Sequence, residues 1–260
     1  MSCLGARENG ATLQPFSVRL NFKGNLAFFL KRSARPPVIE RTLKEKTSVK
    51  DVIESCGVPH PEVDIIVVDG GAVNFSFILH KNSSIDIYPV DFTNEIHREH
   101  RLQRSAVTTF VTDGHLGKLT RNLRLLGFDV VCPASADDRQ LLDIMQRENR
   151  ALLTRDRPLL MHAVVRDGFY PRSQDANEQT IEVIRRFQLF SVMAPFSRCL
   201  RCNGLLAEVG KAAVLESLEP LTRIYYERFW RCNNCGQIYW PGTHFDKLRA
   251  RIEEFRAKLP

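Results

Sequence analysis

Two sets of residues in this 260-residue chain have the types and spacing that metal chemistry needs. Cys199-Leu200-Arg201-Cys202 and Cys232-Asn233-Asn234-Cys235 form two Cys-x-x-Cys pairs with 29 residues between them. Two such knuckles bring four thiolates into the tetrahedral arrangement that Zn²⁺ accepts at about 2.3 Å per sulfur. Gly204 and Gly236 follow the knuckles, where a positive φ allows a tight turn. Four protein ligands leave no open coordination position, so this zinc is expected to be structural, not catalytic, redox-active or part of an iron–sulfur cluster.

The second set is acidic. Asp113 and Asp156 each follow a predicted strand, and ligands of open parallel sheets bind outside the carboxyl ends of the strands. Asp137-Asp138 open a predicted helix between them, and Asp175 stands before another. Each aspartate also has a plain role as a helix cap or ion-pair partner. Taken together they suggest Mg²⁺ or Mn²⁺, because clustered carboxylates repel one another unless a hard cation neutralises them. Lys118, Arg121, Arg124 and Arg155 stand nearby in the sequence and would grip phosphates. A carboxylate-held metal among cations suits phosphodiester hydrolysis: it lowers the pKa of water, orients the attack and neutralises the charge that develops. His115, beside Asp113, reads as a helix-start or surface residue. Neither a phosphate-binding Gly-x-x-x-x-Gly-Lys-Ser/Thr loop nor a Gly-x-Ser-x-Gly elbow is present.

The elements that must position these residues fall into three segments. Over residues 15–95, period-two alternation marks strands at Ser17 to Phe22 and Val38 to Leu43. Ser48 caps a short helix that ends at Gly57, and Ile65 to Val68 and Ser76 to Leu79 flank a hairpin turn at Asp69-Gly70-Gly71. Ser84 to Val90 is the last strand. This order resembles the ubiquitin-like β-grasp fold of small sulfur carriers, although the internal Gly70-Gly71 cannot serve as a carrier's C-terminal di-glycine. His97 to Arg104 reads as a linker. Residues 106–195 alternate strand and helix, implying a parallel sheet with helices on its faces. There the helix with Leu116, Leu119, Leu123 and Leu126 on one face sets Lys118, Arg121 and Arg124 on the other. Residues 196–260 are expected to be a zinc ribbon with a C-terminal helix; Tyr225, Tyr226, Phe229, Trp230, Tyr239 and Trp240 divide there between a small core and base stacking. The fold class is thus multidomain, α+β and α/β.

Charge follows the same division. Residues 1–100 hold 12 basic and 12 acidic side chains, 101–195 hold 14 and 11, and 196–260 hold 11 and 7. A positive balance confined to the later segments suggests a polyanionic partner there. No apolar run is long enough to span a bilayer. Met1 to Gln14 lacks the apolar stretch of a signal peptide and reads as a loose tail. The chain has an odd total of seven cysteines, Cys3, Cys56 and Cys132 lying outside the knuckles, which favours a reducing, cytoplasmic setting over a disulfide scaffold.

Four stretches together, VTDGHLGKLTRNLRLLGFDV, ALLTRDRPLL, RCLRCNGLL and RCNNCGQIYWPGTHFDKL, resemble in order and spacing the bacterial RNase family named after the C-terminal domain of the mutator-seven exonuclease. The resemblance implies a PIN-type nuclease domain joined to a zinc ribbon, preceded by a ubiquitin-like module. It matches Asp113 to the first acidic residue of the nuclease, Asp156 to that of the Thr-Arg-Asp motif, and Asp138, or its neighbour Asp137, to the one that begins the intervening helix. It further implies metal-dependent cleavage of single-stranded RNA to 5′-phosphate and 3′-hydroxyl ends. The expected partner is messenger, transfer or ribosomal RNA. The alternative is a noncatalytic RNA-binding or ribosome-associated factor whose PIN-like domain only docks.

Overall fold

The computed structural model describes residues 14–30, 37–90, 95–133 and 135–259. It divides between Leu102 and Gln103 into two compact units. The tail expected over Met1 to Gln14 lies, but for Gln14, outside the described residues.

The first unit contains β1 (Phe16–Phe22), β2 (Val38–Leu43), β3 (Thr47–Ser48), α1 (Val49–Ser55), β4 (Val63–Val68), β5 (Gly71–Val73), β6 (Ile78–Leu79) and β7 (Ser83–Pro89). Its five-stranded sheet runs β2-β1-β7-β4-β5, with β1 and β7 parallel and the other pairs antiparallel, which is the β-grasp order. In β1 the alternation buries Phe16, Val18, Leu20 and Phe22 on one face. Ser48 caps α1 by accepting the Asp51 amide at 3.1 Å, and Val49, Val52 and Ile53 pack inward.

One pairing differs from the sequence expectation. Asp69 and Gly70 both have positive φ, 49° and 87°, the backbone of a two-residue hairpin turn. That turn sets Gly71 directly opposite Val68, so the returning strand is β5 and not the segment Ser76 to Leu79. Asn74 then turns the chain, its Oδ1 accepting from the Ser76 amide and hydroxyl, and Ile78–Leu79 pairs with Thr47–Ser48 instead.

The second unit contains β8 (Thr109–Thr112), α2 (Gly117–Leu125), β9 (Asp129–Val131), α3 (Asp138–Glu148), β10 (Ala151–Leu153), α4 (Arg157–Leu160), β11 (Gly168–Phe169), α5 (Ala176–Phe187), β12 (Leu206–Val209), α6 (Pro220–Tyr225), β13 (Phe229–Cys232), β14 (Ile238–Tyr239) and α7 (Thr243–Ala257). A four-stranded sheet, β11-β10-β8-β9, is parallel throughout. Its inner strands are buried on both faces, so β10 is continuously apolar. Leu116, Leu119, Leu123 and Leu126 pack with Phe110, Leu153 and Phe187 in one core. Gly127, at φ 94°, ends the α2 segment, and its α-carbon lies so close to the Ala194 carbonyl that a side chain there would collide with it.

An antiparallel sheet, β12-β13-β14, carries the cysteine knuckles. The helix expected to belong with this ribbon contributes elsewhere: Ile252 and Phe255 of α7 are buried in the same core as Phe110 and Leu123. The ribbon is therefore an excursion between two parts of one core.

Candidate active site and metal centre

Asp113 and Asp156 stand at the carboxyl ends of β8 and β10, which are neighbours in the parallel sheet. Thr154, fully buried between them, fixes their relation. Its hydroxyl donates to Asp113 Oδ2 at 2.6 Å and accepts the Asp156 amide at 3.0 Å. Asp113 Oδ1 accepts the His115 amide at 2.9 Å, and Asp156 Oδ1 accepts the Leu159 amide at 2.9 Å, so each carboxylate also caps the turn that follows it.

Both carboxylates line an open cleft of about 830 Å³ together with His115, Lys118, Arg155, Gln174 and Gln179. Arg155 is held at the rim by donating to the Ser173 carbonyl at 2.8 Å and Gln174 Oε1 at 3.0 Å, with its guanidinium 5.7 Å from the Tyr170 ring centroid. The cleft thus sets two anionic groups among cations, at the end of the sheet where a parallel fold binds ligands.

The other predicted acidic residues stand at helix starts. Asp137 forms a capping box at the start of α3: it accepts the Gln140 amide at 2.8 Å while its own amide donates to Gln140 Oε1 at 3.1 Å. Asp138 is exposed in the first turn of α3, and neither residue lines the cleft. Asp175 caps α5 by accepting the Asn177 and Glu178 amides and lines an adjoining cleft. Among the described residues no three carboxylates converge as a metal-sized group; the one such cluster is made of cysteines.

Of the cations expected to face phosphates, Lys118, Arg121 and Arg155 line the clefts, whereas Arg124 is only 8% exposed. Its Nε and Nη2 donate to the Val130 carbonyl at 3.0 and 2.8 Å, and its Nη1 donates to the Leu200 and Arg201 carbonyls at 3.4 and 3.0 Å. The helix carries it toward the first knuckle, where its donors are spent on carbonyls. Arg124 therefore ties α2 and β9 to the ribbon. Burial pushes its pKa down, against the pull of the nearby cysteines and Asp129.

Asp129 completes this junction. Its Oδ1 accepts from Arg150 at 2.6 Å and from Asn203 Nδ2 at 2.8 Å, while Asn203 Oδ1 accepts the Val130 amide at 3.1 Å. Burial raises the Asp129 pKa, but the hydrogen bonds from Arg150 and Asn203 outweigh it and leave the carboxyl below its usual range. None of Thr154, Asp129, Arg150 and Asn203 was singled out in the sequence. The available signal for Thr154 was its place two residues before Asp156 at the end of a strand.

The four knuckle sulfurs all lie within 4.8 Å of one another. Cys199 and Cys235 are 3.7 Å apart, and Cys202 and Cys232 3.4 Å. A tetrahedron with bonds of about 2.3 Å has edges of about 3.8 Å, so this set fits Zn²⁺. The Asn234 and Cys235 amides point at Cys232 Sγ, and the Tyr239 hydroxyl lies 3.1 Å from Cys199 Sγ while accepting the Leu200 amide. Within the cluster, Cys202 and Cys235 are shifted in opposite directions. For Cys202, burial is outweighed by the Gly204 amide and the neighbouring sulfurs, which bring its pKa to about 6; for Cys235, the Gln237 amide is outweighed by those sulfurs, which raise it to about 12. The turn chemistry is split differently from expectation. Gly236 has φ 73°, but in the first knuckle Asn203 takes the left-handed position at φ 72°. Gly204 is needed for closeness: a Cβ there would come within 2.8 Å of Cys232 Sγ and Asn234 Cβ.

A family model described as the Mut7-C RNAse domain matches residues 108–252. The chain belongs to the Mut7-C RNase family. A second model, described as Mut7-C ubiquitin, matches residues 16–95, the β-grasp unit. The Mut7-C match runs through the ribbon to Ile252, spanning both the parallel sheet and the cysteine cluster, and it identifies a ribonuclease-type domain whose substrate is RNA. No match to a curated protein was found. No helix among the described residues is long and apolar enough to cross a membrane.

Proposed function

We propose that the chain is a metal-dependent endoribonuclease that hydrolyses RNA phosphodiester bonds between Asp113 and Asp156. That both carboxylates line one cation-bearing cleft, with Thr154 joining the Asp113 carboxylate to the Asp156 backbone amide, is the observation that supports it most strongly. Two carboxylates suit Mg²⁺ or Mn²⁺, because Mg²⁺ commonly takes one or two protein carboxylates and fills its other positions with water and substrate phosphate. A bound cation would supply water activation and neutralise charge on the phosphoryl oxygens. The protein's own groups divide the remaining work. Thr154 and the two turn amides hold the carboxylates in place, and Lys118 and Arg155 bind and orient the phosphate. Asp137, Asp138 and Asp175 do not line this cleft, so the proposal is carried by Asp113 and Asp156.

Zn²⁺ in the cysteine cluster would brace the ribbon, with no position left for catalysis. The test is incubation of labelled single-stranded RNA with the wild type and with Asp113→Asn, with Mn²⁺ supplied or omitted. Cation-dependent cutting to 5′-phosphate ends by the wild type alone is the expected result. Equal cutting by both proteins would defeat the proposal. A docking role without cleavage is favoured by one observation, that both carboxylates already serve as caps; binding with no cutting under any cation selects it.

A further inference from the structure

The carboxylate cleft continues into two others. An adjoining cleft of about 610 Å³ shares Lys118, Gln174 and Ala176 with it, and a third of about 650 Å³, at the ribbon, shares Arg121, His244 and Leu248 with the second. The middle cleft is a seam between α2 and α7. Lys118 and Arg121 are three residues apart on α2, and His244, Lys247 and Arg251 recur at helical spacing on α7. Among the described residues Lys118, Arg121 and Lys247 have no carboxylate partner, and Arg251 donates only to Asn122 Oδ1, at 3.4 Å. The single acidic residue in this seam, Asp175, is turned to capping α5.

The third cleft changes character. Trp230, Tyr239, Trp240 and Phe245 line it with Arg121, Arg198, Arg228 and His244; Arg228 is paired with Glu208 at 3.0 Å and Arg198 with Asp129 at 3.4 Å, while Arg121 has no carboxylate partner among the described residues. The Arg228 guanidinium lies 5.1 Å from the Trp230 ring centroid. Trp240 is 37% exposed, and no ring stacks on it among the described residues. A cationic track that leads to open aromatic faces is the arrangement by which single-stranded nucleic acid is held without sequence readout: cations follow the phosphates, and rings accept the bases.

We propose that RNA extends as a single strand from the carboxylate cleft along the α2–α7 seam, with its phosphates over Lys118, Arg121, Lys247 and Arg251, and lays unpaired bases against Trp230 and Trp240 in the ribbon groove. This rests on the ribonuclease reading for its choice of RNA. The occupant is RNA and not an apolar peptide because Arg121, which has no carboxylate partner among the described residues, stands in both the groove and the cationic seam and makes the two continuous. A duplex is excluded because its bases are stacked on one another and cannot be offered to the rings.

The test uses the full chain carrying Asp113→Asn, so that RNA stays intact, and a twelve-nucleotide RNA with a photoreactive 4-thiouridine at successive positions. The expected result is crosslinks within residues 228–248 as well as at the carboxylate cleft. Adding Trp240→Ala should weaken binding of this RNA roughly tenfold, the loss of one stacked base. Adding Lys247→Glu should weaken binding and flatten its salt dependence. Bound metal and melting temperature are compared for each protein; if Trp240→Ala loses its zinc, Lys247→Glu on the exposed face of α7 and the crosslink map decide. Crosslinks confined to the carboxylate cleft, with affinity unchanged in the variants, overturn the path even if the wild type cuts RNA. Crosslinks in the groove from a wild type that never cuts would keep the path and retire the nuclease.

Discussion

The Thr154 hydroxyl donates to Asp113 Oδ2 at 2.6 Å from a site with no solvent access. Since the same oxygen accepts the Asp156 amide, one hydroxyl ties the Asp113 carboxylate to the backbone that carries Asp156. Thr154→Val keeps the shape but removes the donor and leaves that amide without its acceptor, at a cost of about 1–3 kcal/mol. The expected outcome is a folded protein whose cutting rate falls by roughly tenfold or more, because misplaced catalytic groups forfeit orientation. Thr154→Ser should recover most of it. Single-turnover rates at saturating Mn²⁺ check this, and a Thr154→Val protein as fast as the wild type would remove Thr154 from the site.

Arg121 and Arg124 lie three residues apart on one helix, with opposite surroundings. Arg124→Ala strands carbonyls of Val130, Leu200 and Arg201 and should destabilise the second unit by more than about 2 kcal/mol. Arg121→Ala, at an exposed site, should change stability by no more than about 0.5 kcal/mol while weakening RNA binding. Denaturant titration and fluorescence anisotropy on both variants check the contrast; the opposite pattern would reverse the two roles.

Metal removal should be felt in the nuclease core. The Arg201 carbonyl that accepts from Arg124 belongs to the first knuckle, so a collapsed knuckle loosens α2 and β9. Cys202→Ser is expected to lose bound zinc and to lower the melting temperature of the second unit, since metal binding at such sites is folding free energy. Zinc release measured with a chromophoric chelator, alongside circular dichroism, tests this. An unchanged melting curve after zinc loss would show that the ribbon stands without it.

Acid should weaken the same junction. The Asp129 carboxyl titrates below its usual range in the folded chain, so its stabilising contribution is complete above the unfolded value of about 3.9 and is lost as pH falls through the lower folded value. Asp129→Asn should therefore be less stable than the wild type by a constant margin, about 1–3 kcal/mol, at neutral pH, and the margin should shrink below about pH 4. Urea titrations between pH 3 and 7 measure it. A margin that persists unchanged to pH 3 would place the effect elsewhere.

Legibility in the sequence followed the range of the interaction involved. The alternation of Phe16, Val18, Leu20 and Phe22 and the leucine stripe of α2 reflect one buried face each, so local periodicity revealed them. Asp113 and Asp156 were legible as neighbours because each ends a strand of one parallel sheet. What stayed hidden depended on partners distant in the chain. The strand opposite β4 was settled by a two-residue turn, and Arg124 looks solvent-facing until the knuckle arrives to accept its donors. Asp138 shares a helix start with Asp137, and composition alone does not say which of the two is spent on the capping box of α3. In α7, Phe245, Leu248, Ile252 and Phe255 recur at helical spacing, which announces a buried face but not which core it enters.

The placement of α7 also changes the entropy of folding. Leu200 and Leu248 both pack against the nuclease core, so the ribbon is the loop that joins them. An ion clamping Cys202 to Cys232 short-circuits the 29 residues between the pairs, more than half of that loop. Because closure entropy rises by about 0.6 kcal/mol for each doubling of length, the clamp favours docking of α7 by a little more than that amount, without touching the helix.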